Sequence, residues 1–252
     1  MAIRFSKEYE INYYDVDYKL KCKLSSIVNF LCDIGNEQAE SVGETIENLA
    51  EVNSAWVFYK YDIRMKEYPK YREVINIETT PAGFNKFYAF RNYKIRNSNG
   101  EVIGEAVALF FLIDIEKRRP KRISNEQLKA YDSEDIANVS IEMEKISDLE
   151  GVDSEKIFNI RYSDIDSNGH VNNVKYIEWA IESVPLNIIK EYTLKRVKVV
   201  FEKEAKYGHS VKVEAQILNI DNNTISTIHR IKSDEEVETT KLELIWEKEF
   251  GN

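Results

Sequence analysis

Ile160-Arg161-Tyr162-Ser163-Asp164-Ile165-Asp166 repeats, at a constant offset of 149 positions, the earlier stretch Ile11-Asn12-Tyr13-Tyr14-Asp15-Val16-Asp17. Ile, Tyr and both Asp are identical, and Val16 is answered by Ile165. A repeat of this kind makes each copy one structural unit, and 252 residues divide into two units of ordinary domain size. Downstream the register resumes at an offset of 136, where Tyr68-Pro69-Lys70-Tyr71 lies over Glu204-Ala205-Lys206-Tyr207 and Ile75-Asn76-Ile77-Glu78 over Val211-Lys212-Val213-Glu214. The first half therefore carries 13 extra residues of helix or loop between the two matches.

A helical segment follows each matched stretch. Val171, Val174, Ile177, Ile181 and Val184 recur at three- and four-residue steps, giving one apolar stripe that Pro185 interrupts. In the first half the helix runs from Ser25 to about Val42, with Ile27, Phe30, Leu31 and Ile34 on one face and Gly43 as its stop. Strands come next. Phe87, Ala89, Tyr93 and Ile95 alternate, Asn97-Ser98-Asn99-Gly100 reads as a hairpin turn, and Val102 to Ile113 returns. The second half repeats this with Val211, Val213, Ala215 and Ile217, a turn at Asp221-Asn222-Asn223, then Ile225 to Ile231 and Leu242, Leu244 and Trp246. Each half is strand, helix, antiparallel meander: an α+β class, in which one sheet wraps one helix twice over. That arrangement fits a tandem (double) hotdog fold as well as other α+β meanders. Ser124 to Glu155 is polar and acidic, with weak helical potential near Asn125 to Tyr131, and reads as a linker between units 1–123 and 156–252.

Composition excludes several functions. With 43% hydrophobic residues, nine glycines and four prolines the chain can bury a full core. Its net charge of −9 argues against a surface that tracks phosphates, and so against nucleic acid as a partner. The longest apolar run, Ala106 to Ile113, is too short to span a bilayer and suits a strand buried on both faces. Cys22 and Cys32 cannot build a disulfide framework, and the start shows no apolar leader, so a cytoplasmic protein is expected. No GxSxG, HExxH, Walker or GxGxxG motif occurs, and neither a cofactor nor a metal is expected.

Divergence between the halves locates the chemistry. Asp17 and Asp166 agree, but Lys19 faces Asn168, Lys21 faces His170, and Tyr68 faces Glu204. Only the second half unites a carboxylate, an amide, an imidazole and a second carboxylate, the groups that general acid–base catalysis uses. Asp166, Asn168 and His170 alternate, so an extended backbone would point all three the same way. The helix that follows offers N–H groups to a developing oxyanion. Asp-Ser-Asn-Gly is also turn and cap chemistry, yet the first half keeps the fold without these polar groups, which favours function over folding.

Residues 161–179, Arg161-Tyr162-Ser163-Asp164-Ile165-Asp166-Ser167-Asn168-Gly169-His170-Val171-Asn172-Asn173-Val174-Lys175-Tyr176-Ile177-Glu178-Trp179, closely resemble the signature of acyl-acyl carrier protein (acyl-ACP) thioesterases. Trp56-Val57, Glu67-Tyr68-Pro69 and Glu116-Lys117-Arg118-Arg119 resemble that family in supporting fashion. The resemblance implies a double-hotdog enzyme that hydrolyses fatty acyl-ACP, with catalytic groups at Asp166, Asn168, His170 and, in Phe201-Glu202-Lys203-Glu204-Ala205, Glu204. It also implies that the first hotdog selects chain length. Many plant members place a cysteine after that glutamate; here Ala205 stands there, which removes a thiol nucleophile at that position and favours attack by water. An acyl-CoA thioesterase and a non-catalytic acyl-binding hotdog protein are the alternatives.

Glu116-Lys117-Arg118-Arg119-Pro120-Lys121-Arg122 carries a net charge of +4 and reads either as a solvated hairpin end or as a docking patch for an acidic acyl carrier protein. Trp56, Phe58, Phe87 and Phe90 are placed to line an acyl tunnel or to serve as plain core. Cys22 and Cys32 read as small buried hydrophobes, and His209 and His229 as structural or exposed residues. A tandem hotdog pairs two units within one chain, so both a monomer and a homodimer are compatible with the sequence.

Overall fold

Four strands of the second half start where the two offsets place them from the first, in a computed structural model that describes residues 2–249. In chain order the elements are β1 (Phe5–Glu10), α1 (Leu24–Ser41), α2 (Ile46–Glu51), β2 (Ser54–Met65), β3 (Val74–Phe84), β4 (Tyr88–Arg96), β5 (Val102–Asp114), β6 (Arg119–Pro120) and α3 (Asn125–Ala130). They continue with β7 (Ser154–Asn159), α4 (Asn173–Glu182), α5 (Leu186–Glu191), β8 (Tyr192–Phe201), β9 (Ser210–Asn219), β10 (Thr224–Ser233) and β11 (Glu238–Lys248). β7 is β1 shifted by 149 at both ends, while β9, β10 and β11 each begin 136 after β3, β4 and β5.

Two units result, one holding residues up to Tyr59 and Met65–Met143, the other Lys60–Arg64 and the residues from Glu144 onward. The first unit's sheet runs in the order β1-β3-β4-β5-β2, with β6 on β5. The second runs β8-β11-β10-β9-β7, and Lys60–Arg64 of β2 adds to it by pairing antiparallel with β8. Within that unit Arg196 binds the Asp62 carboxylate at 2.6 and 2.8 Å.

Each sheet holds one helix. On α1, which packs on β1 and β3, Ile27, Leu31 and Ile34 are fully buried. Burial of each such side chain stabilises the fold by roughly 1.5–3 kcal/mol. Phe30 is only half-buried and stacks on Tyr9, ring centres 4.6 Å apart. Gly43, at φ +82°, ends the turn after α1 in the left-handed region that favours glycine. On α4, which packs on β9, β10 and β11, Val174, Ile177 and Ala180 fill the same role. α1 has 18 residues and α4 has 10, so most of the extra length of the first half is helix. Both helices are followed by a short second one, α2 and α5, which periodicity does not show because each spans only six residues.

The expected linker is not uniform. Ser124 and Gln127 form a capping box that starts α3, and Tyr131 closes a buried cluster with Phe84, Ala89, Leu112 and Ile123. Residues through Met143 thus belong to the first unit. Ala106 to Ile113 forms the middle of β5 but is not buried on both faces: Phe110 and Phe111 remain half-buried, and Phe110 meets Phe58 with ring centres 4.3 Å apart. Among the described residues no helix is long and apolar enough to cross a membrane. The chain adopts a double hotdog fold, strand, helix and antiparallel meander in each half.

Candidate active site

Asp166 does not lie on an extended segment; it opens a tight turn. Its backbone N–H bonds His170 O at 2.8 Å, Gly169 N–H returns to Asp166 O at 3.1 Å, and Asp166 Oδ1 accepts from Asn168 N–H at 2.8 Å and His170 N–H at 3.4 Å. Gly169 sits at φ +77°, as the turn requires. The alternation that would aim Asp166, Asn168 and His170 in one direction is therefore absent. The first half builds the same turn bond for bond. Asp17 Oδ1 accepts from Lys19 N–H at 2.8 Å and Lys21 N–H at 3.1 Å, and Leu20, at φ +58°, stands where Gly169 does.

Upstream, Asp164 is buried and accepts the Arg161 backbone N–H at 2.8 Å, as Asp15 accepts that of Asn12 at 3.0 Å. Burial pushes the Asp164 carboxyl up, but the Arg161 guanidinium and N–H outweigh it and hold the group below its usual range. The acidic residues shared by the halves are thus accounted for by the fold.

What is unshared is the chemistry. His170 Nε2 lies 3.2 Å from Glu204 Oε2, with the imidazole mostly covered and the carboxylate about one-third exposed. Two backbone bonds fix this juxtaposition: Val171 N–H donates to Ala205 O at 3.0 Å, and Asn172 N–H to Asp164 O at 2.8 Å. Cys22 N–H and Pro69 O at 2.8 Å are the first-half equivalent, but there Lys21 and Tyr68 occupy the two reactive positions. Burial raises the Tyr68 phenol well above its ordinary value.

Tyr176, to which sequence reasoning gave no role, completes the arrangement. It is buried on α4, and its hydroxyl accepts the Ala205 N–H at 2.9 Å, anchoring the residue next to Glu204. Burial, opposed by the Ala205 hydrogen bond and aided by the charges of Glu204 and Asp166, pushes its phenol up to about 12. The signal for it was in the repeat: Ile27 stands at the Tyr176 position where Pro69, which has no N–H, stands at that of Ala205.

Asn168 is brought to the same turn but is exposed. The start of α4 is less open to a ligand than its position implies, because Asn172 caps it, taking Val174 N–H on its side chain at 2.9 Å and Lys175 N–H on its carbonyl at 2.9 Å. Among the described residues no group of three or more His, Cys, Asp and Glu side chains is placed to hold a metal ion.

The first unit contains a cavity of about 90 Å³ between α1 and its sheet, lined among others by Trp56, Phe58, Phe90, Phe110, Tyr93 and Arg91. Three of the four aromatics singled out in the sequence face it. Phe87 does not, and instead lies beneath the Lys86 ammonium. The added length of α1 supplies wall residues, including Asn36 and Ala39. Cys32 also borders the cavity and is half-buried, whereas Cys22 is buried and its thiol is pushed by burial up to about 12.

In the second unit the corresponding positions are buried and bonded to one another. At the offset of 136, Thr227, His229 and Trp246 replace Arg91, Tyr93 and Phe110. His229 Nε2 meets Thr227 Oγ1 at 2.8 Å, its Nδ1 meets Ser183 Oγ at 3.1 Å, and Trp246 Nε1 donates to Thr227 Oγ1 at 3.1 Å. Burial lowers the His229 pKa to about 3, so the ring is neutral at physiological pH. His209 is exposed and paired with Asp234 at 3.0 Å.

Residues 2–131 match the family described as acyl-ACP thioesterase N-terminal domain, and residues 147–248 match acyl-ACP thioesterase C-terminal domain. The coriander protein named oleoyl-acyl carrier protein thioesterase, chloroplastic, is 25% identical over 229 residues, 83% of this chain and 62% of its own length. Against that protein and the next two curated relatives, the chain spans 62%, 61% and 57% of their lengths. A crystal structure from Lactobacillus plantarum, provisionally described as an oleoyl thioesterase, superposes with a TM-score of 0.93 at 26% identity, covering 99% of this chain and 98% of that one. The 12:0-ACP thioesterase of Umbellularia californica has the same fold, with a TM-score of 0.87 at 19% identity over 98% of this chain and 94% of its own.

Proposed function

The chain belongs to the acyl-ACP thioesterase family, and we propose that it hydrolyses the thioester of fatty acyl-ACP, releasing a free fatty acid and the carrier. The observation that carries this reading is the 3.2 Å contact between His170 and Glu204, at two positions where the first repeat has Lys21 and Tyr68. Glu204 and His170 position a water and take its proton as its oxygen attacks the thioester carbon. The Asn168 amide holds the developing oxyanion, since Asn172 already takes the Val174 and Lys175 N–H groups at the start of α4. Collapse breaks the C–S bond, and the leaving sulfur takes a proton from the His170 imidazolium.

Asp166 shapes the turn rather than attacking. One of its carboxylate oxygens already accepts two backbone N–H groups, which argues against a mixed anhydride. Single-turnover hydrolysis in isotopically labelled water separates the two routes: direct attack puts the label in the fatty acid, and label in an enzyme carboxylate overturns this mechanism.

The second unit performs the hydrolysis and the first receives the acyl chain in the cavity beside α1. Arg118, Arg119 and Arg122, all exposed, form the proposed docking patch for the acidic carrier. Lys121 is excluded from that role because it bonds Val52 O and Ser54 Oγ at 2.5 and 2.7 Å. Reversing the charge of Arg118 and Arg119 raises KM for acyl-ACP and leaves KM for a short soluble thioester unchanged; equal effects on both refute the patch. Cys22 and Cys32 form no disulfide, consistent with the cytoplasm as the proposed compartment. Hydrolysis of a chain-length series on acyl carrier protein, compared with the same acyl groups on coenzyme A, tests the reading as a whole. Faster turnover of the coenzyme A esters contradicts it.

A further inference from the structure

Arg91 sets the cavity of the first unit apart from an ordinary hydrocarbon slot. Arg91 lines an otherwise largely apolar wall. Among the described residues no carboxylate lies within ion-pair distance of it. It hydrogen-bonds Gln38 Oε1 and Thr79 Oγ1, the latter at 3.2 Å, and also the Tyr131 hydroxyl. The Tyr131 ring lies 5.9 Å from its Cζ. The Tyr131 hydroxyl also donates to Glu44 at 3.0 Å, and Glu44 accepts from Trp56 Nε1 at 2.9 Å and Gln127 Nε2 at 2.7 Å.

A guanidinium has five N–H donors in a fixed fork and cannot discharge itself by losing a proton. Half-buried in a largely apolar wall, with three side-chain partners for five N–H groups, it is stabilised further by a ligand that brings an acceptor oxygen. The second repeat provides the control. Where Arg91 stands in the first unit, the second has Thr227, whose hydroxyl is satisfied by His229 and Trp246. The second repeat has a self-contained polar network at these positions, whereas the first places beside its cavity a cation with N–H donors to spare.

We propose that the cavity takes an acyl chain bearing an oxygen substituent, a hydroxyl or keto group, and that Arg91 is the residue that binds this oxygen. The inference rests on the acyl-ACP hydrolase reading and narrows its substrate class. A site built to hydrogen-bond a substrate oxygen discriminates strongly against the analogue that lacks it, because its own polar group is then left unpaired.

The test is a positional series of hydroxyacyl- and ketoacyl-ACPs at one chain length, set against the unsubstituted acyl-ACP. At one position the oxygenated chain is expected to be hydrolysed with kcat/KM at least about tenfold above the plain chain. Arg91→Gln is expected to reduce that ratio to near one. No favoured position in the wild type, or an unchanged ratio in the variant, overturns the proposal. Because Arg91 also supports Gln38 and Thr79, a second arm uses the wild-type protein alone. Trp56 lines the cavity, so quenching of its fluorescence reports binding of free hydroxy acids against the matched unsubstituted acid. Tighter binding of the hydroxy acid supports the proposal, and equal or weaker binding refutes it. If no acyl-ACP of any kind is hydrolysed, the hydrolase reading fails, while the fluorescence arm still decides whether the cavity prefers an oxygenated chain.

Discussion

Replacing Tyr176 with phenylalanine removes one oxygen and strands one buried donor. In the native structure the Ala205 N–H, on a residue only 6% exposed, is satisfied by the Tyr176 hydroxyl at 2.9 Å. Leaving such a group without a partner costs about 1–3 kcal/mol, and water has little access to repair it. Ala205 adjoins Glu204, so relaxation of the loop also moves the carboxylate away from His170, and kcat is expected to fall by about tenfold. The first repeat shows how to separate this from a general packing defect. There Pro69, with no N–H, occupies the Ala205 position opposite Ile27, and its carbonyl makes the same bond that Ala205 makes. Adding Ala205→Pro to Tyr176→Phe should therefore recover most of the lost stability, although each change removes half of the native hydrogen bond. Urea unfolding followed by tryptophan fluorescence suits the measurement, since Trp179 lies 5.5 Å from the Tyr176 ring. A single variant within 0.5 kcal/mol of wild type, or a double variant no more stable than the single, refutes the reasoning.

Three further outcomes follow from the same structure. Asp17→Ala and Asp166→Ala should each lose about 1 kcal/mol, because both carboxylates hold equivalent turns, but only Asp166→Ala should reduce kcat; chemical denaturation and steady-state kinetics on the two variants check this. His229 has a folded-state pKa of about 3 against 6.5 when unfolded, so its contribution is complete above pH 6.5 and is lost as pH falls toward 3, at about 1.4 kcal/mol per unit. In unfolding curves from pH 7 to pH 4, the wild-type-minus-His229→Asn stability difference should be flat above 6.5 and decline below it. Phe110→Ala, which enlarges the cavity wall of the first unit, should shift the preferred acyl length upward in a chain-length series, whereas the equivalent Trp246→Ala should destabilise the second unit by about 3–5 kcal/mol.

Much of the fold was legible because duplication left two readings of one pattern. The offsets of 149 and 136 placed the strands of the second half from those of the first, and the 13-residue discrepancy marked extra helix or loop in the first half, most of which is α1. The short helices α2 and α5 were not legible, since six residues give no periodic stripe. The candidate site was half-legible. Divergence at Lys21/His170 and Tyr68/Glu204 singled out the pair that meets in space, a distance no sequence states. Asp166 was read as part of the same divergent set although the first repeat keeps it as Asp17, and its turn bonds show why both halves retain it. Alternation failed as a guide to direction because Gly169, at positive φ, bends the chain through a turn instead of extending it. Arg91 was invisible, and the role of Tyr176 showed only as a paired change at Ile27 and Pro69, for a different reason. Each depends on a partner far away in sequence, a largely apolar cavity wall for Arg91 and Ala205 for Tyr176, and only packing brings those together.

The central claim is that the pair formed by His170 and Glu204 cleaves a thioester on acyl carrier protein. Glu204→Gln tests it most directly, because the substitution keeps the size of the side chain and removes only its ability to take a proton. Release of free thiol from an acyl-ACP, measured with saturating enzyme in a single turnover, should slow by at least about 10²-fold while the unfolding temperature is unchanged. A rate within a few-fold of wild type contradicts the account.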